Sequence, residues 1–176
     1  MDIEIIAKQT HRPLAKQGFT LIEILIVIGM IAILASVVLI AINPLRQFAQ
    51  ARNSQRISNV NAILNAVGNR TAEHKGIFTD TSGLCQNPIP TTASDMSESA
   101  INGYNIRPCL VPTYISELPF DPAGGSNACT TDSCSGESYD TQYTIKQDVN
   151  GRITVCAPNA AMETSIQGSE AYCLTR

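Results

Sequence analysis

The chain has 176 residues, a length that predicts about one domain. Its net charge of -3 excludes the strongly basic surface that is typical of nucleic-acid-binding proteins, so we expect no nucleic-acid partner. Only 15% of the residues are charged, 44% are apolar, and one long apolar run lies near the N-terminus.

Residues 1–18 (MDIEIIAKQTHRPLAKQG) are mostly polar, and an uncharged apolar run from Ile24 to Ile42 follows them. As a helix this run is roughly 28 Å long, close to the hydrocarbon thickness of a bilayer. We therefore predict a membrane-spanning helix over residues 19–42. One alternative is a secretory signal peptide cut near Ala35, although its apolar core would be shorter, about 7–15 residues. A buried core helix is a further alternative, which the polar remainder of the chain disfavours.

The cysteines indicate which side of the membrane each end occupies. All six follow the apolar run: Cys85, Cys109, Cys129, Cys134, Cys156 and Cys173. This placement predicts disulfides in an oxidising compartment, with the N-terminus cytoplasmic and the remainder outside. A zinc site is disfavoured because no CxxC pair is present. Spacing alone does not fix the connectivity, and our preferred pairs are Cys85–Cys109, Cys129–Cys134 and Cys156–Cys173.

Glu23 is a carboxylate just inside an apolar helix, where a charge is costly and usually has a partner. A cut between Gly18 and Phe19 would create an α-amine one helical turn from Glu23, and such an amine is largely protonated near neutral pH. The amine and the carboxylate would then pair within one chain or between neighbouring chains. The alternative is that Glu23 extends to the lipid headgroups without a partner.

The octet KQGFTLIE, from Lys16 to Glu23, resembles the leader junction of type IV prepilins and type II secretion pseudopilins. The resemblance implies cleavage after Gly18 by a prepilin peptidase, and N-methylation of Phe19 by the same membrane enzyme. It assigns Lys16 as the basic leader residue and residues 1–18 as the leader peptide. It also implies that Glu23 pairs with the terminal amine of a neighbouring subunit during assembly.

The same resemblance implies a pilin-like α+β fold, with a long N-terminal helix packed on a small antiparallel sheet. Pro44 is expected to kink the helix, and residues 43–75 to form its amphipathic continuation, so that the helix runs from about Phe19 to about Arg70. Its predicted apolar stripe comprises Leu45, Phe48, Ala49, Ile57, Val60, Leu64 and Val67. The predicted solvent side comprises Gln47, Gln50, Arg52, Asn53, Arg56, Asn59 and Asn69.

Residues 76–176 are predicted to form a disulfide-stapled head outside the cytoplasm. Alternating side chains predict strands at Tyr139–Lys146, at Arg152–Ala157 and near Glu170–Leu174. Asn150-Gly151 predicts a type I′ hairpin turn between the first two strands. Ser94–Ala100 is predicted as one helical turn, within an otherwise loop-rich stretch from 76 to 137.

Candidate ligands in the head are few. The Asp121-Pro122 segment resembles the calcium loop of major pseudopilins, which makes calcium a candidate cofactor. The candidate calcium ligands are Asp121, Asp132, Glu137 and Asp140. A solvated structural turn is the alternative interpretation, which we prefer. No nucleophile and base pattern is present, so we predict neither catalytic residues nor an enzyme.

These observations predict a structural subunit of a type IV pilus-like filament, anchored in the cell membrane by a single span and then assembled into an extracellular filament. The expected partners are copies of itself, other pilins, prepilin peptidase/N-methyltransferase and a membrane assembly platform. A type II secretion pseudopilin is the first alternative. A non-polymerising, membrane-anchored extracellular binding domain and a secreted protein released by signal peptidase are the others.

Overall fold

The architecture comes from a computed structural model that describes residues 18–41, 43–80, 83, 85–98, 103–129 and 138–176. The chain divides into two compact units, one ending at Asn43 and the other comprising Pro44–Arg176. The first unit contains helix α1, Leu21–Ala41, and the second begins with helix α2, Pro44–Glu73. The fold is α+β and pilin-like, which confirms the predicted fold class.

The single helix predicted from Phe19 to Arg70 is instead two helices. Helix α1 begins two residues later than expected and ends at Ala41, and Pro44 is the first residue of α2. Between them Asn43 has a φ of 30°, in the left-handed region that asparagine tolerates better than most residues. Proline has no backbone N–H to donate and fits the first helical position, so Pro44 starts a helix.

A five-stranded antiparallel sheet and two short helices complete the second unit. Its strands are β1 (Ser94–Ser97), β2 (Ser126–Asn127), β3 (Tyr139–Gln147), β4 (Ile153–Ala157) and β5 (Tyr172–Thr175). The short helices are α3 (Arg107–Leu110) and a 3₁₀ helix (Pro158–Met162). The sheet order is β1-β3-β4-β5, and β2 pairs with the start of β3.

Two local predictions in the head were wrong. Ser94–Ser97 forms strand β1 rather than the start of a helical turn, because it pairs with β3 and buries Met96. The β3–β4 hairpin is not a type I′ turn, since Gly151 has a positive φ of 81° and Asn150 does not. The Gly151 N–H donates to the Asp148 carbonyl at 3.0 Å, closing a turn that ends on a left-handed glycine.

The core of the second unit lies between α2 and the sheet, where α2 contacts β4 and β5. From the predicted stripe, Ala49, Val60, Leu64 and Val67 are buried, and Ile63 joins them. The remaining members of that stripe are exposed: Leu45 (69%), Phe48 (64%) and Ile57 (42%). Two arginines of α2, Arg56 and Arg70, are buried, so the placement of Arg56 on the solvent side was wrong.

Two of the predicted disulfides, Cys85–Cys109 and Cys156–Cys173, are present in the structure. The first anchors the loop after α2 to α3, and the second joins β4 to β5 between directly paired residues. Loops of these lengths predict a stabilisation of about 3 kcal/mol from each bond. Cys129 is also disulfide-bonded, whereas Cys134 lies outside the described residues.

Candidate processing and assembly site

The predicted cleavage position lies in exposed, non-helical backbone. Gly18, Phe19 and Thr20 precede α1, all three are exposed, and the Phe19 side chain is 85% exposed. A Cβ added at Gly18 would meet no atom within 4 Å, so the chain's own packing does not require glycine there. The basic leader residue Lys16 and the rest of the leader lie outside the described residues.

Glu23 and Thr20 form a reciprocal cap at the N-terminus of α1. The Glu23 carboxylate accepts hydrogen bonds from the Thr20 backbone N–H at 2.7 Å and from its hydroxyl at 2.9 Å. The Glu23 backbone N–H in turn donates to the Thr20 hydroxyl oxygen at 3.3 Å. This arrangement is a capping box, and the sequence analysis missed it although the spacing T-x-x-E is its recognised signal. Glu23 therefore has a partner within its own chain before any assembly.

Helix α1 is apolar on every side and no described side chain in it is buried. Leu21–Leu39 is long and apolar enough to cross a membrane. A core helix of a soluble protein passes the same length test but would be covered by the rest of the chain. The bulky side chains from Leu21 to Leu39 are instead 48–84% exposed, as a lipid-facing or subunit-facing helix requires.

Two of the four predicted calcium ligands, Asp121 and Asp140, lie among the described residues. Asp121 is 1% exposed, and Arg56 binds both of its carboxylate oxygens. Asp140 is exposed and accepts the Gln142 backbone N–H at 2.8 Å, while Asp132 and Glu137 lie outside the described residues. Within the described ranges, no group of three His, Cys, Asp or Glu side chains is placed to hold a metal ion. The Asp121 carboxylate thus does not fit calcium.

Arg56 instead lies at the centre of a charge cluster, in which Asp121 and Glu163 are also buried and Arg52 is partly exposed. Its Nε and Nη2 donate to Asp121 at 2.6 and 3.0 Å, and its Nη1 donates to Glu163 Oε1 at 2.6 Å. Arg52 Nε and Nη2 donate to Glu163 Oε1 and Oε2 at 2.7 and 2.5 Å. Arg52 and Arg56, one turn apart on α2, therefore bind two loops of the head. Asp121 belongs to one of these loops and Glu163 to the other.

These contacts set the ionisation of the carboxylates. Hydrogen bonds from Arg52, with further ones from Arg56, lower the pKa of Glu163 to about 2 despite its burial. Burial pushes the pKa of Asp121 upward, but the hydrogen bonds from Arg56 and from the Ala123 N–H outweigh it and the pKa is lowered. Both groups therefore favour the folded state in their ionised form.

Because the pKa of Glu163 is depressed on folding, its stabilisation is fully present above its ordinary pKa near 4.5. It is lost as the pH falls through the folded value of about 2. We expect the melting temperature of the full chain in detergent to fall between pH 5 and pH 2, and to fall less in Glu163→Gln. The matched control is Glu170→Gln, at an exposed position. An equal fall of the melting temperature with pH in both variants would contradict the role assigned to Glu163.

Residues 14–39 match the family model described as the prokaryotic N-terminal methylation motif. The match includes Gly18, Phe19 and Glu23, and it does not extend into the head. Neither the curated proteins nor the solved structures contain a match to this chain. The motif is the type IV prepilin/pseudopilin signature.

Proposed function

We propose that the chain is a structural subunit of a type IV pilus-like filament rather than an enzyme. A prepilin peptidase cuts it between Gly18 and Phe19, and the new Phe19 amine is methylated. The head lies outside the cytoplasm and the N-terminus inside. Subunits then assemble through α1, with the carboxylate of Glu23 paired to the Phe19 amine of a neighbour. Its partners are copies of itself, other pilins, the processing enzyme and a membrane assembly platform.

One observation carries this proposal. The Gly18–Phe19 bond lies in exposed backbone directly before an unburied apolar helix, whose first turn contains one carboxylate. A filament subunit uses all three features, because the bond must reach a protease, the helix must be covered by lipid or by other subunits, and the carboxylate must find a cation. Repeated head-to-tail contacts between such helices that do not close into a ring produce an open helical filament.

Asp121 also bears on the choice between a pilus subunit and a secretion pseudopilin. The Asp121-Pro122 segment favoured a pseudopilin because it resembles a calcium loop, but the carboxylate is paired with Arg56. This pairing removes the main argument for the pseudopilin alternative, and we therefore favour the pilus.

The test is mass spectrometry of the membrane fraction, from a host that has its own prepilin peptidase. We expect a mature chain that begins at Phe19 and is heavier by one methyl group. A chain that still begins at Met1, or one cut within residues 35–43, would contradict the proposal and favour a plain anchor or a secreted domain.

A substitution at the predicted cleavage position distinguishes the requirement of the peptidase for glycine from any requirement of the fold for glycine. Gly18→Val should leave the chain uncut, because a Cβ at this position meets no atom within 4 Å in the chain's own fold, whereas the larger side chain obstructs the peptidase. Gly29→Ala is the matched control, since a Cβ at Gly29 in α1 also meets no atom within 4 Å. Normal processing of Gly18→Val would count against cleavage at this bond.

A further inference from the structure

Arg56 is surrounded by oxygens from two loops of the head and from its own helix, α2. Besides the two carboxylates of Asp121 and Glu163, its Nη1 donates to the Asn53 side-chain oxygen at 2.7 Å. The guanidinium is 1% exposed, and the Asp121 side chain opposite it is fully buried. Several oxygens converging on one buried positive charge is also the arrangement that a hard divalent cation requires.

The Asp121 loop is shaped around this contact. The Asp121 carbonyl accepts the Gly125 N–H at 3.0 Å, and the Oδ1 of the Asp121 side chain accepts the Ala123 N–H at 2.9 Å. A Cβ at Gly125 would lie 2.6 Å from the Asp121 backbone nitrogen, so this turn needs glycine. The loop therefore turns its carboxylate inward to α2.

We propose that Arg56 supplies from within the chain the positive charge that calcium would supply to such a loop, so that the fold of the head does not depend on calcium. Removal of the guanidinium leaves the oxygens of Asp121, Glu163 and Asn53 around a space that a divalent cation fills. The inference concerns the head alone and does not rest on processing or filament assembly.

The test compares melting temperatures of the full chain in detergent, with EGTA and with millimolar calcium chloride. Wild type should melt at the same temperature in both. Arg56→Ala should melt about 10 °C lower in EGTA, because the buried Asp121 loses its arginine partner, while Glu163 keeps only Arg52. Calcium should then raise the melting temperature of this variant by several degrees, as expected for a ligand that binds only the folded state.

Two control variants separate charge from structure. Arg56→Lys keeps a cation between the carboxylates and should be insensitive to calcium. Arg152→Ala removes an exposed arginine that pairs with Asp148, and it should change neither the melting temperature nor the calcium response.

Each result decides for or against the proposal. A wild-type melting temperature that rises with calcium overturns it, as does a folded Arg56→Ala that ignores calcium. If Arg56→Ala fails to fold in EGTA, folding restored by calcium supports the proposal, and failure under both conditions overturns it.

Discussion

Glu23→Gln should give subunits that are cleaved and inserted in the membrane but do not assemble into filaments. Glutamine can occupy the same position in a capping box, so the Thr20 cap that precedes α1 is kept. The negative charge is lost, and the Phe19 amine of a neighbouring subunit then has no counter-charge among apolar helices. An uncompensated charge in such surroundings costs several kcal/mol, so we expect filament yield to fall on the order of a hundredfold.

Comparison of two substitutions separates the two roles of this residue. Glu23→Ala removes both the cap and the charge, whereas Glu23→Gln removes only the charge. If the charge drives assembly, sheared filament fractions should be empty for both variants. Normal filaments from Glu23→Gln would rule out the amine pairing and leave helix capping as the role of Glu23. Ser36→Ala is the matched control, because it removes a different polar group of α1, one bonded to the Ile33 carbonyl.

Arg70→Met should cost the head about 3 kcal/mol and lower its melting temperature by about 10 °C. Arg70 is 5% exposed and donates to the carbonyls of Phe78 at 2.7 Å and Cys109 at 2.9 Å. It also pairs with Asp80 at 2.6 Å and lies over the rings of Phe78 and Tyr114. The substitution leaves the Phe78 and Cys109 carbonyls without their guanidinium donor, and it leaves Asp80 paired with His74 alone.

The contacts of Arg70 depend on the planar guanidinium, which directs several N–H donors to different acceptors, and not on charge alone. Arg70→Lys should therefore recover only part of the stability, since one ammonium cannot reach all three acceptors. Arg152→Met, at an exposed ion pair, should cost less than about 1 kcal/mol. Equal losses for Arg70→Met and Arg152→Met in urea unfolding of the full chain would contradict this account.

The parts of the fold that could be predicted from sequence are those set by local pattern. The apolar helix α1 could be predicted from the composition of its own segment. Strands β3 and β4 could be predicted because side chains alternate on both sides of the turn at Gly151. Strand β1 could not be predicted in this way, because Ser94–Ser97 is polar and becomes a strand only by pairing with a segment about 50 residues away.

At the candidate site, sequence motifs pointed to Gly18, Phe19 and Glu23 as candidates but did not predict the capping box between Thr20 and Glu23. The burial of Arg56 was missed because polar side chains were assigned to the solvent side of α2, and Arg70 was assigned to neither side. Arg56, Ile63 and Arg70 follow one another at intervals of seven residues, which places them on one helix face, and this was the available signal. Whether that face buries a guanidinium depends on Asp121 and Glu163, which lie 65 and 107 residues away from Arg56.

The disulfides Cys85–Cys109 and Cys156–Cys173 also limit how far the head extends under tension. A filament transmits force along its subunits, and a head pulled between its ends lengthens only by the chain that lies outside closed loops. The loops closed by Cys85–Cys109 and Cys156–Cys173 have sequence separations of 24 and 17 residues. Fully extended, they would release roughly 80 Å and roughly 60 Å of chain. While both bonds are intact, this length of chain is not released. The segments that contain β5 and α3 therefore bear load without lengthening.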